Sequence, residues 1–107
     1  MDIGHYVAWF FGGAFLMNAI PHVVAGALGR AFQSPFATPR GEGLSSSTVN
    51  VLWGFFNLVV AWLLLVRTGS FDVHAWDHAL VAGLGALVMA LFHARHFGRF
   101  HGGNTPP

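Results

Sequence analysis

The stretch from Asn18 to Asn57 contains the features that decide the fold. An apolar segment carrying NAIPH at residues 18–22 is followed by the punctuated run FQSPFATPRGEGLSSST at 32–48, and the apolar sequence then resumes as VNVLWGFFNL at 49–58. Apolar segments on both sides of a Pro/Gly/Ser-rich connection predict two helices joined by a loop. The rest of the chain adds a third apolar segment.

The composition is that of a membrane protein. Of the 107 residues, 54% are hydrophobic and 8% are charged, and that charged fraction is about a third of the value for soluble domains. The apolar segments 4–29, 49–66 and 78–92 approach or exceed the roughly 20 residues that cross a bilayer. None has the charged face that a helix of a soluble bundle shows. We therefore predict an all-α integral membrane protein with three transmembrane helices.

A single membrane domain is expected to span residues 1–107. Hydroxyl side chains at 45–48 predict the start of the second helix, Gly69 is a candidate C-cap, and Ser70 or Asp72 is expected to cap the third helix. Tryptophans at 9, 53, 62 and 76 are assigned to aromatic belts at the two membrane interfaces. The predicted parts are helix 1 at about 4–29, a loop at 30–48, helix 2 at about 49–67, helix 3 at about 73–97 and a flexible tail at 98–107.

The arginines predict the orientation of the chain in the membrane. Three spans place the first loop and the C-terminus on one side, together with Arg30, Arg40, Arg95 and Arg99, and leave Arg67 on the other side. The positive-inside rule then places the N-terminus outside and the C-terminus in the cytoplasm. We expect a multi-pass protein, most simply of a bacterial inner membrane.

Several classes of chemistry are excluded or disfavoured. The chain has no cysteine, and all five of its basic residues are arginine, so disulfides, thiol catalysis and a Schiff-base lysine are excluded. No basic patch suited to nucleic acid is present. The four carboxylates are too few and too interfacial to suggest an acid–base pair, and the serines at 45–47 are interpreted as caps. An enzyme is therefore less favoured than a protein without chemistry of its own.

Polar residues within the apolar segments predict an intramembrane cluster. Small and polar residues recur at helical spacing along all three helices, so these stripes are expected to face one another. Counted from the cytoplasmic ends at 1.5 Å per residue, His93 lies about 6 Å deep, His22 about 10 Å, Asn57 about 12 Å and Asn18 about 16 Å. They therefore share one half of the bundle, either as interhelical hydrogen bonds or as a site. The predicted cluster is Asn18, Pro21, His22, Asn50 and Asn57.

The first loop is expected to be an ordered flap on the cytoplasmic surface. It is long for a connection between packed helices, and its apolar residues favour contact with the headgroup boundary or the bundle. Arg40 and Glu42 are expected to pair across its turn. In a channel the same loop would form a gate, with candidate residues Phe32, Gln33, Pro35, Phe36 and Pro39.

Three functions follow from these patterns. The first is an accessory or scaffold subunit that packs through its small-residue stripes against copies of itself or a larger membrane complex. The second is a homo-oligomeric channel or transporter with a polar path at Asn18, His22 and Asn57. The third is a haem or metal site, because His22 with His93 or His96 offers two imidazoles from facing helices. Any cofactor is otherwise unknown, and the partner common to all three hypotheses is the lipid bilayer.

Overall fold

The structure, a computed structural model, describes residues 2–105. It contains three α-helices and a two-stranded hairpin, and each helix is long and apolar enough to cross a membrane. By length and composition this is a multi-pass membrane protein, and the prediction of an all-α membrane protein is confirmed at that level. In chain order the elements are α1 (Ile3–Ala27), β1 (Phe32–Gln33), β2 (Leu44–Ser45), α2 (Ser47–Leu65) and α3 (Trp76–His101).

The third helix lies further along the chain than the predicted range of 73–97. Asp72 accepts a hydrogen bond from the backbone N–H of His74 at 2.9 Å, and its carbonyl accepts from the N–H of Ala75. This bond lowers the pKa of the Asp72 carboxyl. Residues 72–75 therefore form a turn, and Ala75 precedes the helix without a side-chain cap, so the expected cap at Ser70 or Asp72 is wrong.

The predicted tail at 98–107 begins as helix. α3 continues to His101 and ends at Gly102, whose φ of 83° is the left-handed conformation that glycine adopts at helix ends. Of the remaining tail, Pro106 and Pro107 lie outside the described residues. At the start of α2, the Ser46 hydroxyl accepts from the N–H of Val49 at 3.2 Å, which places the cap within the predicted serine run.

α1 is the central helix of the bundle. It packs along both α2 and α3, whereas α2 and α3 hardly touch each other. Glycines allow the close approach: a Cβ at Gly13 would overlap the carbonyl oxygen of Ala82, and one at Gly85 would overlap that of Phe10. The small-residue stripes therefore lie between helices of this chain, as van der Waals packing in membranes favours.

The first loop contains a hairpin that the all-α prediction lacks. β1 and β2 pair antiparallel, with Phe32 opposite Ser45 and Gln33 opposite Leu44. The hydroxyls of Ser34 and Ser45 lie 2.5 Å apart across the hairpin. Strands of two residues are too short for an alternating pattern to reveal them, since that signal needs at least about four residues. We call residues 28–46 the hairpin loop, and the end of the bundle that it covers the hairpin end.

The opposite end of the bundle, which we call the far end, carries Asp2 and the second loop at 66–75. Trp9 is only 4% exposed there, and its indole N–H donates to the carbonyl of Thr68 at 2.8 Å. The assignment of Trp9 to an aromatic belt is therefore wrong, because its ring packs inside the bundle. The Tyr6 hydroxyl donates to Asp77 at 2.5 Å. These contacts join α1 to the second loop and to α3.

Replacing Trp9 by phenylalanine is expected to lower the free energy of unfolding by about 1 kcal/mol, because the carbonyl of Thr68 loses its donor. Denaturant unfolding in mild detergent would measure this change. The control is Trp76→Phe, since Trp76 is 78% exposed and its replacement should leave unfolding unaltered. Equal effects in the two variants would contradict the interior role of Trp9.

Candidate functional site: a polar cavity beneath the hairpin loop

A cavity of about 310 Å³ lies at the hairpin end of the bundle. It lies between α1, α2 and α3 where α2 and α3 hardly touch each other, and residues of the hairpin loop form part of its wall. We call it the polar cavity. Its lining residues are Asn18, His22, Gln33, Ser34, Pro35, Arg40, Gly41, Trp53, Phe92, His93, His96 and Phe97.

One chain of hydrogen bonds crosses all three helices beside this cavity. The Asn18 amide donates to the Asn57 side-chain oxygen at 2.9 Å, and the Asn18 oxygen accepts from His93 Nε2 at 2.8 Å. Asn57 in turn donates to the carbonyl of Trp53 at 2.8 Å. Because an amide oxygen can only accept, neutral His93 carries its proton on Nε2, and its Nδ1 keeps a lone pair.

A second group of hydrogen bonds anchors the hairpin loop to α1 and α2. Asn50 is fully buried, and its amide nitrogen donates to the carbonyls of Phe32, Ser45 and Ser46 at 3.0–3.2 Å. Its side-chain oxygen therefore points to His22 and accepts from Nδ1 at 2.7 Å. His22 is 2% exposed, and its Nε2 is the nitrogen left with a lone pair.

Three contacts attach the other side of the hairpin loop to α3. His96 Nε2 donates to the carbonyl of Gly41 at 2.6 Å, and His101 Nε2 donates to the Gln33 side-chain oxygen at 2.8 Å. Arg99 forms an ion pair of 3.0 Å with Glu42. The expected pairing of Arg40 with Glu42 is therefore wrong, because the carboxylate faces α3.

Two hydrogen-bond donors at the cavity lack protein partners. Trp53 lines it, and its indole N–H is buried with no acceptor among residues 2–105. Arg40, an exposed residue, also lines it and forms no ion pair within that part of the chain. A buried N–H without an acceptor costs free energy, so such a group calls for an explanation.

The structure brings most of the predicted site residues to this region. Asn18 and His22 line the cavity, whereas Asn50 and Asn57 lie behind them and hydrogen-bond to them. Pro21 makes no part of the lining, and α1 runs through it as continuous helix. His93 and His96, predicted only as cofactor ligands, both line the cavity and hydrogen-bond to Asn18 and Gly41.

Some of the loop residues proposed as a gate line the polar cavity or the spaces next to it, and others do not. Gln33 and Pro35 line the polar cavity, and Phe36 lines the spaces next to it. Phe32 packs beneath the hairpin loop against the rings of Phe97 and His101. Pro39 lines none of these spaces.

Several lining residues are not among those predicted from the sequence. Trp53 was assigned to an aromatic belt, although it follows Asn50 by three positions and precedes Asn57 by four, a spacing that places all three on one helix face. That spacing was the available signal. The others missed are Ser34, Arg40, Gly41, Phe92 and Phe97.

The histidines do not form a compact metal-ligand group. Among residues 2–105 no set of three or more His, Cys, Asp or Glu side chains could together bind an ion. His22, His93 and His96 each use one ring nitrogen in a hydrogen bond to the protein. Two-histidine ligation of a haem or metal through the other ring nitrogens stays a prediction.

Comparisons with protein-family models, with curated proteins and with solved structures find no match for this chain.

Proposed function

We propose that the protein binds a small molecule within the membrane, in the polar cavity beneath the hairpin loop. The observation that carries the proposal is a cavity of about 310 Å³ whose lining includes Trp53, a residue with a buried N–H that has no acceptor among residues 2–105. Ligand sites are typically concave, mainly apolar, and carry a few convergent polar groups, in volumes of roughly 300–1,000 Å³. The polar cavity has these properties.

The far half of the bundle favours a binding site over an open path. Beyond Asn18 the interior is filled by close backbone contacts at Gly13 and Gly85 and by buried alanines, including Ala14 and Ala61. The cavity is therefore closed toward the far end. A channel or transporter, the second predicted function, would need these helices to separate, so we propose binding from the hairpin end.

The outer surface gives no preference for an accessory subunit. Bulky apolar side chains cover the exposed faces of α2 and α3, among them Leu52, Phe55, Leu87 and Leu91. A bilayer is a sufficient neighbour for such surfaces. The accessory-subunit and homo-oligomer hypotheses stay predictions, and light scattering in mild detergent would test them.

We place the hairpin end on the cytoplasmic side, because four of the five arginines belong to it. Reporter fusions at both termini test this orientation. A cytoplasmic N-terminus would reverse it, and ligand would then enter the cavity from outside.

The binding proposal predicts protection of a single thiol. The chain has no cysteine, so Ser34→Cys introduces a single thiol at a position that lines the cavity and, being 1% exposed, reacts only when the cavity opens. We expect one fraction of a solvent extract of the native membranes to contain the ligand. At a ligand concentration well above the Kd, this fraction should slow the labelling of the thiol by a small maleimide about tenfold. Native mass spectrometry should then show the bound molecule from that fraction.

Thr105→Cys is the control, because Thr105 is exposed in the tail and its labelling should not change. The proposed function would be overturned if no fraction slowed the labelling of Ser34→Cys and if native mass spectrometry of protein from native membranes showed only the mass of the protein itself.

A further inference from the structure

We infer that the ligand is a single-chain amphiphile, with a carboxylate head in the polar cavity and an apolar chain in a groove on the outer face of α2. The inference rests on the proposed function and names the class of molecule that the site would take. It follows from how three neighbouring spaces meet at Trp53 and from the charges that surround them.

The groove is an apolar space of about 560 Å³ on the membrane-facing side of α2. Its walls are Phe36 from the hairpin loop and Val49, Leu52, Trp53 and Phe56 from α2. The Phe36 ring packs edge-on against Trp53, with centroids 5.1 Å apart. Phe36 therefore extends the apolar surface of α2 over the loop, and the groove suits a hydrocarbon chain.

The groove and the polar cavity both adjoin a third space, with which each shares lining residues. This third space of about 670 Å³ lies under the hairpin loop. It shares Phe36 and Trp53 with the groove, and it shares Pro35, Arg40 and Trp53 with the polar cavity. A molecule that occupies both therefore passes Trp53, with its polar part on the Arg40 side and its apolar part on the Phe36 side.

The free polar groups on that side favour an anion. Arg40 is a cation without an ion-pair partner among residues 2–105, since Glu42 pairs with Arg99. Trp53 lies beside Arg40 in the lining, and its buried N–H has no acceptor within residues 2–105. The Gln33 side-chain oxygen accepts from His101, so the Gln33 NH2 group is not used in that hydrogen bond. No Asp or Glu lines the polar cavity.

The donors beside the polar cavity favour a carboxylate as the head, and the cavity volume of about 310 Å³ leaves room for it. A carboxylate is small, accepts several hydrogen bonds, and matches the planar fork of an arginine. A fatty alcohol of equal length would leave Arg40 without a countercharge, and a short carboxylate would leave the groove empty.

The test compares palmitate, hexadecanol and butyrate on the full chain in mild detergent, by native mass spectrometry of retained ligand. We expect palmitate to be retained about tenfold more tightly than hexadecanol, the ratio that one charge-assisted contact typically supplies. Butyrate should not be retained. Palmitate should also slow maleimide labelling of Ser34→Cys.

Three variants assign the contacts. Arg40→Gln should weaken palmitate about tenfold and leave hexadecanol unchanged, and Trp53→Phe should weaken palmitate while it preserves the ring. Arg30→Gln is the matched control, because Arg30 is exposed near the same end but lines none of the three spaces. Each variant is compared with the parent by circular dichroism and thermal unfolding, so that a folding defect is recognised.

Equal retention of palmitate and hexadecanol, unaffected by Arg40→Gln, would overturn the inference and mean that the groove holds bulk lipid only. No palmitate retention, with labelling of Ser34→Cys still slowed by a membrane fraction, would overturn the carboxylate head and leave the proposed function standing. Retention of neither, with no protection by any fraction, would overturn both.

Discussion

Asn50→Ala is expected to lower the free energy of unfolding by about 3 kcal/mol, because each buried polar group that loses its partner costs about 1–3 kcal/mol. Asn50 is fully buried and connects four groups: His22 on α1 and the carbonyls of Phe32, Ser45 and Ser46. Alanine leaves all four without this partner. The hairpin loop should then detach from the bundle.

Two measurements separate loop release from global unfolding. Denaturant unfolding gives the free energy, and trypsin reports on the loop, because cleavage after Arg40 requires that segment to leave the bundle. We expect Asn50→Ala to accelerate this cleavage under conditions where circular dichroism shows intact helices. The opening of a loop below the global unfolding transition is common where few contacts hold it.

Asn104→Ala is the matched control. Among residues 2–105, Asn104 makes one exposed side-chain hydrogen bond, to the carbonyl of Arg95 at 2.8 Å, so its loss should cost at most about 0.5 kcal/mol. Cleavage after Arg40 that is no faster in Asn50→Ala than in Asn104→Ala would show that the loop is held by other contacts.

The helices and the polar cluster could be predicted from the sequence because both depend on the spacing of residues along the chain. Hydrophobic length fixes a transmembrane segment, and the rise per residue fixes depth. On that basis Asn18, Asn57 and His93 are expected in the same half of the bundle, and in the structure they form one chain of hydrogen bonds. The orientation of the bundle in the membrane stays a prediction.

The remaining features depend on contacts between distant parts of the chain. Asn50 stabilises the hairpin because it donates hydrogen bonds to carbonyls of both strands, those of Phe32 and Ser45. The sequence of a two-residue strand does not indicate such a contact. Trp9 is buried because the second loop folds over it. The cavity lies where α2 and α3 hardly touch each other, and the pattern of a single helix does not reveal how far it lies from another helix.

The hairpin loop links stability to the proposed function. Residues of this loop supply part of the cavity wall, including Gln33, Ser34 and Arg40. The same loop contacts α3 through His96, His101 and Arg99. Any change that moves α3 away from α1 should therefore open the cavity as well as weaken the bundle.

Gly85→Ala tests that coupling and is expected to lower the free energy of unfolding by about 3 kcal/mol, at the upper end of the cost of overpacking. A Cβ at Gly85 would overlap the carbonyl oxygen and carbon of Phe10 and press on the nitrogen of Ala14. These are backbone atoms of α1, which cannot rotate aside as a side chain does. The helices must separate, and the contacts of His93 and His96 should weaken with them.

Gly83→Ala supplies a control of opposite sign on the same helix. No atom of the described residues 2–105 outside the helix itself lies within 4 Å of a Cβ at Gly83, so the added methyl group should stabilise the protein by about 0.5–1 kcal/mol through helix propensity alone. Unfolding of both variants in lipid bicelles gives the two free energies, and maleimide labelling of Ser34→Cys in each background reports on the cavity. We expect faster labelling only with Gly85→Ala. Equal stabilisation by both alanines would contradict the conclusion that close packing of α1 on α3 closes the cavity toward the far end.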